Sequence, residues 1–301
     1  MIVRDRPSLL RLFFIMKGSV LPRIAPKVLL VIGLTVGVLL ADRNGIDILH
    51  IDLQPLGIFG IALSLFLGFR NNAAYDRWWE ARRLWGQLIA DCRSFGRETL
   101  VFLGHSPERR ALLRLCVAFM HLHRGSLRRV DVRTSLRDWT EEADAAAFLT
   151  SQNPACAPLT RIANHLHHLR DRQALSDMGL RVLSERLAHL SLAQAGCERI
   201  AGTPLPFVYQ LLIYRTILLY CLFVPFGLID SAGWLAPVFA GVIAYVFFGL
   251  AAVTDELEHP FLNSLNGIPL DAMCRTVEIS IAEALEEPAP EKLVPVAHVL
   301  T

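Results

Sequence analysis

Apolar residues gather in four long runs along the chain, and charge gathers between them. "VLLVIGLTVGVLLA", Val28 to Ala41, holds 14 residues without a charge. A bilayer-crossing helix needs about 20 apolar residues. Pro22 to Lys27 is therefore expected to complete the span, with Arg23 and Lys27 reaching back to the interface. The second run, Leu53 to Phe69, turns to dense charge at Arg70 with no break. The third, Ala201 to Ile229, is interrupted only by Arg215. The fourth, Ser231 to Thr254, has 24 residues without a charge and closes on the acidic "DELE". The pattern predicts spans over about 24–42, 53–80, 204–229 and 232–254.

Elsewhere the period is also helical. "WGQLIADCRSFGRETLVFL", "RRALLRLCVAFMHLHRGSLRRV" and "SDMGLRVLSERLAHLSLAQAGCERI" repeat apolar residues every three or four positions. Ser176 stands where a helix N-cap would. The stretch "TSQNPACAP" is expected as a loop and 286–301 as a flexible tail. Strand-like alternation is scarce. The expected fold is all-α: one domain over 1–301, with four spans and a helical polar region over about 70–200 and 255–285. The second run is expected to leave the membrane as one continuous helix. Ile61, Leu65 and Phe69 then share a face at i, i+4 and i+8. Gly57, Gly60 and Gly68 permit close helix approach. Arg70, Arg77 and Arg82 are expected to pair with acids such as Asp76 and Glu80.

Charge orients the spans. Six basic residues and one acid precede the first span, whereas the loop before the second holds Asp42, Asp47 and Asp52 against Arg43. The positive-inside rule places the arginine-rich middle and both termini in the cytoplasm. A hydrophobic fraction of 53% fits a membrane protein, and a net charge of +2 gives no argument for nucleic acid. Only 3 of the 30 basic residues are lysines, and arginine suits fixed ion pairs better. The six cysteines have irregular spacing and no C-x-x-C pair, which reads as free thiols in a reducing compartment. No small-residue cleavage site follows a sustained apolar run near the start, so no cleaved leader is expected.

Three blocks resemble one known family. "FLGFRNNAAYDRWWEARRLWG" is similar to the signature of the bestrophin ion channels in its bacterial form. "GCERIAGTPLPFVYQLLIYRTILLYCLFVPFGL" resembles that family's third span, and "DELEHPFLNSLNGIPLDAMCRTVE" the block after its fourth. Order and spacing match over roughly residues 3–285. The resemblance implies a homopentamer in a bacterial inner membrane, in contact with its lipids, around one central pore. It implies a narrow neck of three apolar rings, matched here by Ile61, Leu65 and Phe69. It also implies a second, cytoplasmic aperture, matched by Met178 in "ALSDMGL". Animal members carry a calcium clasp built on a run of acids. Here the matching stretch is "LNSLNGIPLD", whose only acid is Asp271. Calcium needs six to eight oxygens, so calcium gating is not expected.

Other chemistry adds little. Histidines cluster in "HLHHL" and "HLH", without the i, i+4 motif of a helical zinc site, and read as solvated or cavity-facing imidazoles. No metal or cofactor is expected. Phosphate-loop, dinucleotide and nucleophile-elbow motifs are absent from the sequence, so no catalytic residue and no enzyme is expected. Arg215 is too costly to face lipid and is expected to pair inside the protein. Trp78, Trp79 and Trp85 are expected at the membrane interface and between subunits. The functional expectation is passive conduction of small monovalent ions, limited by dewetting and ion dehydration at the neck. Animal bestrophins are anion channels, while bacterial ones can prefer monovalent cations. With Asp52 and Asp177 as possible ion-attracting mouth residues, the reading favours cations by a small margin. The alternatives are an anion (chloride) channel and a non-conducting helical scaffold or receptor subunit. A secondary transporter fits poorly, because the two halves do not correspond.

Overall fold

The computed structural model describes residues 1–4, 8, 10 and 14–301. Asp5, Arg6 and Arg11 of the basic flank lie outside the described residues. The helices are α1 (Leu21–Arg43), α2 (Leu53–Leu103), α3 (Pro107–Arg128), α4 (Arg133–Leu136), α5 (Glu142–Thr150), α6 (Cys156–Asp171), α7 (Asp177–Gly202), α8 (Phe207–Ala232), α9 (Ala236–Glu258) and α10 (Leu270–Ala284). A 3-10 turn, Gly233–Leu235, lies between α8 and α9. Extended pairing among the described residues is confined to isolated bridges, Ile2 with Val299 and Val296 with Val299. The fold is all-α, as expected.

The lengths follow from the local sequence. Helix α1 runs 23 residues, about 34 Å at 1.5 Å per residue. It begins at Leu21 because Pro22 sits in the first turn, where no backbone donor is needed. Helix α2 runs 51 residues, about 76 Å. Beyond Pro55 no proline interrupts it. It ends at Gly104, whose φ of +58° is a left-handed stop. The Gly104 N–H donates to the Leu100 carbonyl at 2.9 Å. Buried positions along α2 alternate in steps of four and three: Leu56, Gly60, Leu63, Leu67, Arg70, Ala74, then Ala81, Trp85, Leu88, Cys92 and Phe95. That mean step of about 3.5 holds one stripe on one side of a long helix.

The chain folds into two compact units. The first comprises Met1–Val3, Trp79–Thr203 and Pro260–Thr301; the second comprises Arg4–Trp78 and Pro204–His259. In the second, apolar unit, three stretches are long and apolar enough to cross a bilayer: Leu21–Arg43, the early part of α2, and Phe207–Glu258. The turn at Gly233 divides the last into α8 and α9, which gives four spans. Small residues Ala236, Ala240, Ala244 and Ala251 are buried along α9 and pack with Ile24 and Val31 of α1. Close approach is needed at Gly60, where an added Cβ would stand 2.5 Å from Tyr220 Oη. Gly57 and Gly68 have open space within the subunit.

The first unit is a helical bundle around Trp85, Phe95, Leu112 and Phe119. Ser106 caps α3, its Oγ accepting from Arg109 N at 3.2 Å, and Ser176 caps α7 by accepting from Gly179 N at 3.1 Å. Arg186 of α7 grips the α2 carboxylates, with Asp91 and Glu98 each at 2.7 Å. All six cysteines are free thiols. Two of them, far apart in sequence, meet in the core, with Cys116 Sγ 3.3 Å from Cys92 Sγ. The segment 286–301, expected as a flexible tail, is tied down. Its backbone bonds to residues 1–3 through Val3 N to His298 O (2.9 Å) and Leu300 N to Met1 O (2.8 Å), and Ala272 N donates to Thr301 O (2.9 Å). The "TSQNPACAP" loop is shorter than expected, since α6 already begins at Cys156.

Neither "HLH" imidazole is solvated, but His121 faces a cavity lined also by Arg124, Asp271 and Glu278. His121 faces Glu278 at 2.7 Å. His123 is fully buried, stacked on Trp85 (centroids 5.5 Å apart) and Phe119 (5.8 Å), and neither of its ring nitrogens has a partner. Trp85 is thus a core residue of its own subunit and not the interfacial residue expected. Burial lowers the His123 pKa to about 3. The unfolded chain, with an ordinary value of about 6.5, then binds more protons than the folded one at every pH between the two values. The contribution is full above about 6.5 and is lost as pH falls toward 3, at roughly 1.4 kcal/mol per unit. Between pH 6.5 and 5 the loss should be about 2 kcal/mol. Denaturant unfolding at both pH values should show that drop in the parent and a visibly smaller one in His123→Phe. Equal drops would show that His123 is not the group responsible.

Candidate functional site

The candidate site lies on the exposed side of α2 in the apolar unit. Leu63 and Leu67 on the buried stripe are 3% and 0% exposed. Ile61, Leu65 and Phe69 are 72%, 58% and 58% exposed. At 100° per residue Ile61 and Leu65 each stand 200° from Leu63, so the chain turns a row of large apolar side chains away from its own core. Successive members are about 6 Å apart along the axis. Nothing among the described residues covers this row, and a soluble surface would not carry it.

Directly after Phe69 the helix carries a buried charge. The Arg70 side chain is 1% exposed. Its Nη2 donates to Asp255 Oδ1 at 3.1 Å and to Glu258 Oε2 at 3.2 Å. Asp255 collects further donors: Gln210 Nε2 at 3.4 Å on the same oxygen, and Arg23 Nη2 at 3.1 Å and Tyr214 Oη at 2.6 Å on Oδ2. Glu258 Oε1 accepts from Leu205 N at 3.2 Å, and its carbonyl accepts from Arg77 Nε at 2.9 Å. Arg70 therefore reaches acids some 185 positions away, and not the neighbouring Asp76 and Glu80. Glu80 is taken by Arg199 at 2.7 Å. Of the "DELE" acids, which could suggest a cation site, Asp255 is occupied by Arg70 and Arg23 and Glu258 by Arg70.

The remaining candidates are placed as follows. Met178 lies in the first turn of α7 and is 61% exposed. Its neighbour Gly179 is buried, because a Cβ there would stand 2.7 Å from Leu175 and 3.0 Å from Phe102. Asp177 is exposed, and Arg170 Nε compensates its charge at 3.1 Å. Asp52 accepts from Gln54 N at 3.0 Å, so it caps the start of α2 as well as standing at the surface. The internal pairing expected of Arg215 is not found among the described residues. Helix α8 turns that side chain outward, whereas Arg70 is paired internally. Asp271 is engaged twice, with Arg124 and Arg128 Nη1 each at 2.6 Å. Burial would raise the Asp271 carboxyl, but the two guanidinium groups outweigh it and hold the group below the usual carboxylate range. No cluster of three His, Cys, Asp or Glu residues suited to a metal occurs among the described residues.

The family model for "Bacterial/Fungal Bestrophin protein" matches residues 1–283. The chain belongs to the bestrophin family. Among similar proteins, the voltage-dependent anion channel-forming protein mll4386 of Mesorhizobium japonicum is 46% identical over 298 residues, covering 98% of this chain and 95% of that protein. The voltage-dependent anion channel-forming protein YneE of Escherichia coli K12 is 38% identical, with 99% of each chain covered. The crystal structure of a bacterial bestrophin homologue from Klebsiella pneumoniae matches with a TM-score of 0.81 and 32% identity, covering 90% of this chain and 100% of that one. This bestrophin is therefore a membrane protein of an oligomeric ion-channel family and not an enzyme.

Proposed function

We propose that five copies of this bestrophin surround one pore in a bacterial inner membrane, with both termini cytoplasmic. Small monovalent ions cross it passively through a neck of Ile61, Leu65 and Phe69 and an aperture at Met178. The observation that carries this reading is the row of three large apolar side chains opposite the buried stripe of α2. A cyclic assembly covers such a row by turning it toward a shared axis. An apolar ring limits flow by dehydration and dewetting and does not itself sort ions by sign. The names of the relatives support anions; Asp52, exposed at the start of α2, supports cations. Calcium has no part in gating, because Asp271 is held by two arginines and the stretch supplies no second carboxylate.

Purified protein in planar bilayers under a potassium chloride gradient tests the proposal. The expected result is discrete single-channel current whose reversal potential gives the sign, unchanged between micromolar calcium and chelator. Absence of current from correctly assembled protein would favour the scaffold. Strong activation by calcium would mean that an acid site lies elsewhere.

A further inference from the structure

We infer that Asp255 is a positioning residue for the neck: its carboxylate, through Arg70, sets the rotation of α2 that aims Phe69. The inference rests on the proposed role of Phe69. An ionised carboxylate offers about four acceptor positions. All four are used here, two per oxygen, by Arg70 and Gln210 on Oδ1 and by Arg23 and Tyr214 on Oδ2. These donors come from α1, α2 and α8, while Asp255 itself sits near the end of α9. One carboxylate thus joins all four spans. Glu258 adds a second grip on α2 through Arg70 and ties in Leu205 just before α8.

The grip matters at Phe69 because Arg70 is the next residue on an unbroken helix. A buried guanidinium cannot drift without leaving its carboxylates, and losing charge-assisted bonds in a dry site is costly. Pinned from behind, α2 cannot roll. A roll of about 10° at a side-chain radius of about 5–6 Å would move the Phe69 ring by roughly 1 Å. In a ring of several subunits, each moves by that amount at once. Arg70 also keeps Nε and Nη1 without partners, so its hold depends on the Nη2 bonds to Asp255 and Glu258.

The test uses the assembled channel and a readout that a purely structural role would not move. Phe69→Cys is introduced, and current block by a cationic and an anionic methanethiosulfonate reagent is timed. The parent without that cysteine controls for native thiols. Adding Asp255→Asn should change the block rate at position 69 by about tenfold and the single-channel conductance about twofold, the sign following whether the ring swings in or out. Asp255→Glu should recover part of both. Tyr214→Phe and Arg23→Gln each remove one donor and leave the carboxylate in place; they should shift the block rate in the same direction by about twofold. If Asp255→Asn fails to assemble, these two milder variants carry the test. Assembled variants with parental block rate and conductance, differing only in melting temperature, would overturn the inference. Failure of the neck reading is separable, because then Leu65→Ala would also leave conductance unchanged.

Discussion

Leu65→Ala raises single-channel conductance by about three- to fivefold, and Leu63→Ala leaves it near the parental value. The truncation at Leu65 removes three heavy atoms per subunit. It does so on the exposed face of α2, where the side chain makes no contribution to the core of its own subunit. Stability should therefore change little, while a wider and less dewetted ring passes more ions. Sign selectivity should change less than conductance, because no charge is removed. Leu63 is the opposite case. It is 3% exposed and packs in the apolar core of the unit. Truncating it should cost about 2–5 kcal/mol and lower the assembled yield, with normal current in the channels that form. Single-channel recording of both variants, with a melting curve for each, decides the matter. Raised conductance in Leu63→Ala alone would reverse the face assignment.

The spans, the continuity of α2 and the apolar row were legible because each depends on local pattern. Uncharged length predicts a span, and a stretch without proline predicts that a helix continues. Spacing of i, i+4, i+8 predicts a shared face. The partner of Arg70 was not legible, because local spacing offers Asp76 and Glu80 while the chain returns Asp255 and Glu258 only at the end of the second span after it. Arg215 misled for a related reason. A charge inside an apolar run signals that something must satisfy it, but not on which side of the helix, and here α8 turns it out of its own subunit. One signal for Arg70 was available: it falls on the four-three stripe that includes Leu63, Leu67 and Ala74, so its side chain had to be buried. The same stripe includes Trp85, which reads as an interfacial aromatic only when its position in the repeat is ignored. The ordered tail left no local trace, since the bonds that hold it come from Met1, Val3, Ala272 and Arg275, all outside the segment.

Gly267→Ala should be the most damaging single-carbon addition outside the spans. It lies in "LNSLNGIPLD", where animal relatives place their calcium clasp. Here the turn is closed by backbone bonds, with Ile268 N donating to Pro260 O at 2.9 Å and Gly267 N to Ser264 O at 3.2 Å. Arg128 Nη2 adds a bond to Ile268 O at 3.2 Å. A Cβ on Gly267 would overlap the Leu262 carbonyl oxygen and press on Pro260 O at 3.4 Å. Both are backbone atoms, so no side-chain rotation relieves the clash and the turn itself must open. Opening it also loosens Asp271, three residues after Ile268, and its bonds to Arg124 and Arg128. The expected loss is about 3 kcal/mol, the upper part of the range for overpacking. Gly96→Ala is the matched control. It is helical and buried, and its added Cβ would meet Ile281 Cδ1 at 3.8 Å, an ordinary contact. The gain in helix propensity should stabilise by up to about 1 kcal/mol. Melting of the two detergent-solubilised variants should therefore shift in opposite directions. If Gly267→Ala melts with the parent, the turn has slack, and the carbonyl of Leu262 does not approach the chain as closely as the structure places it.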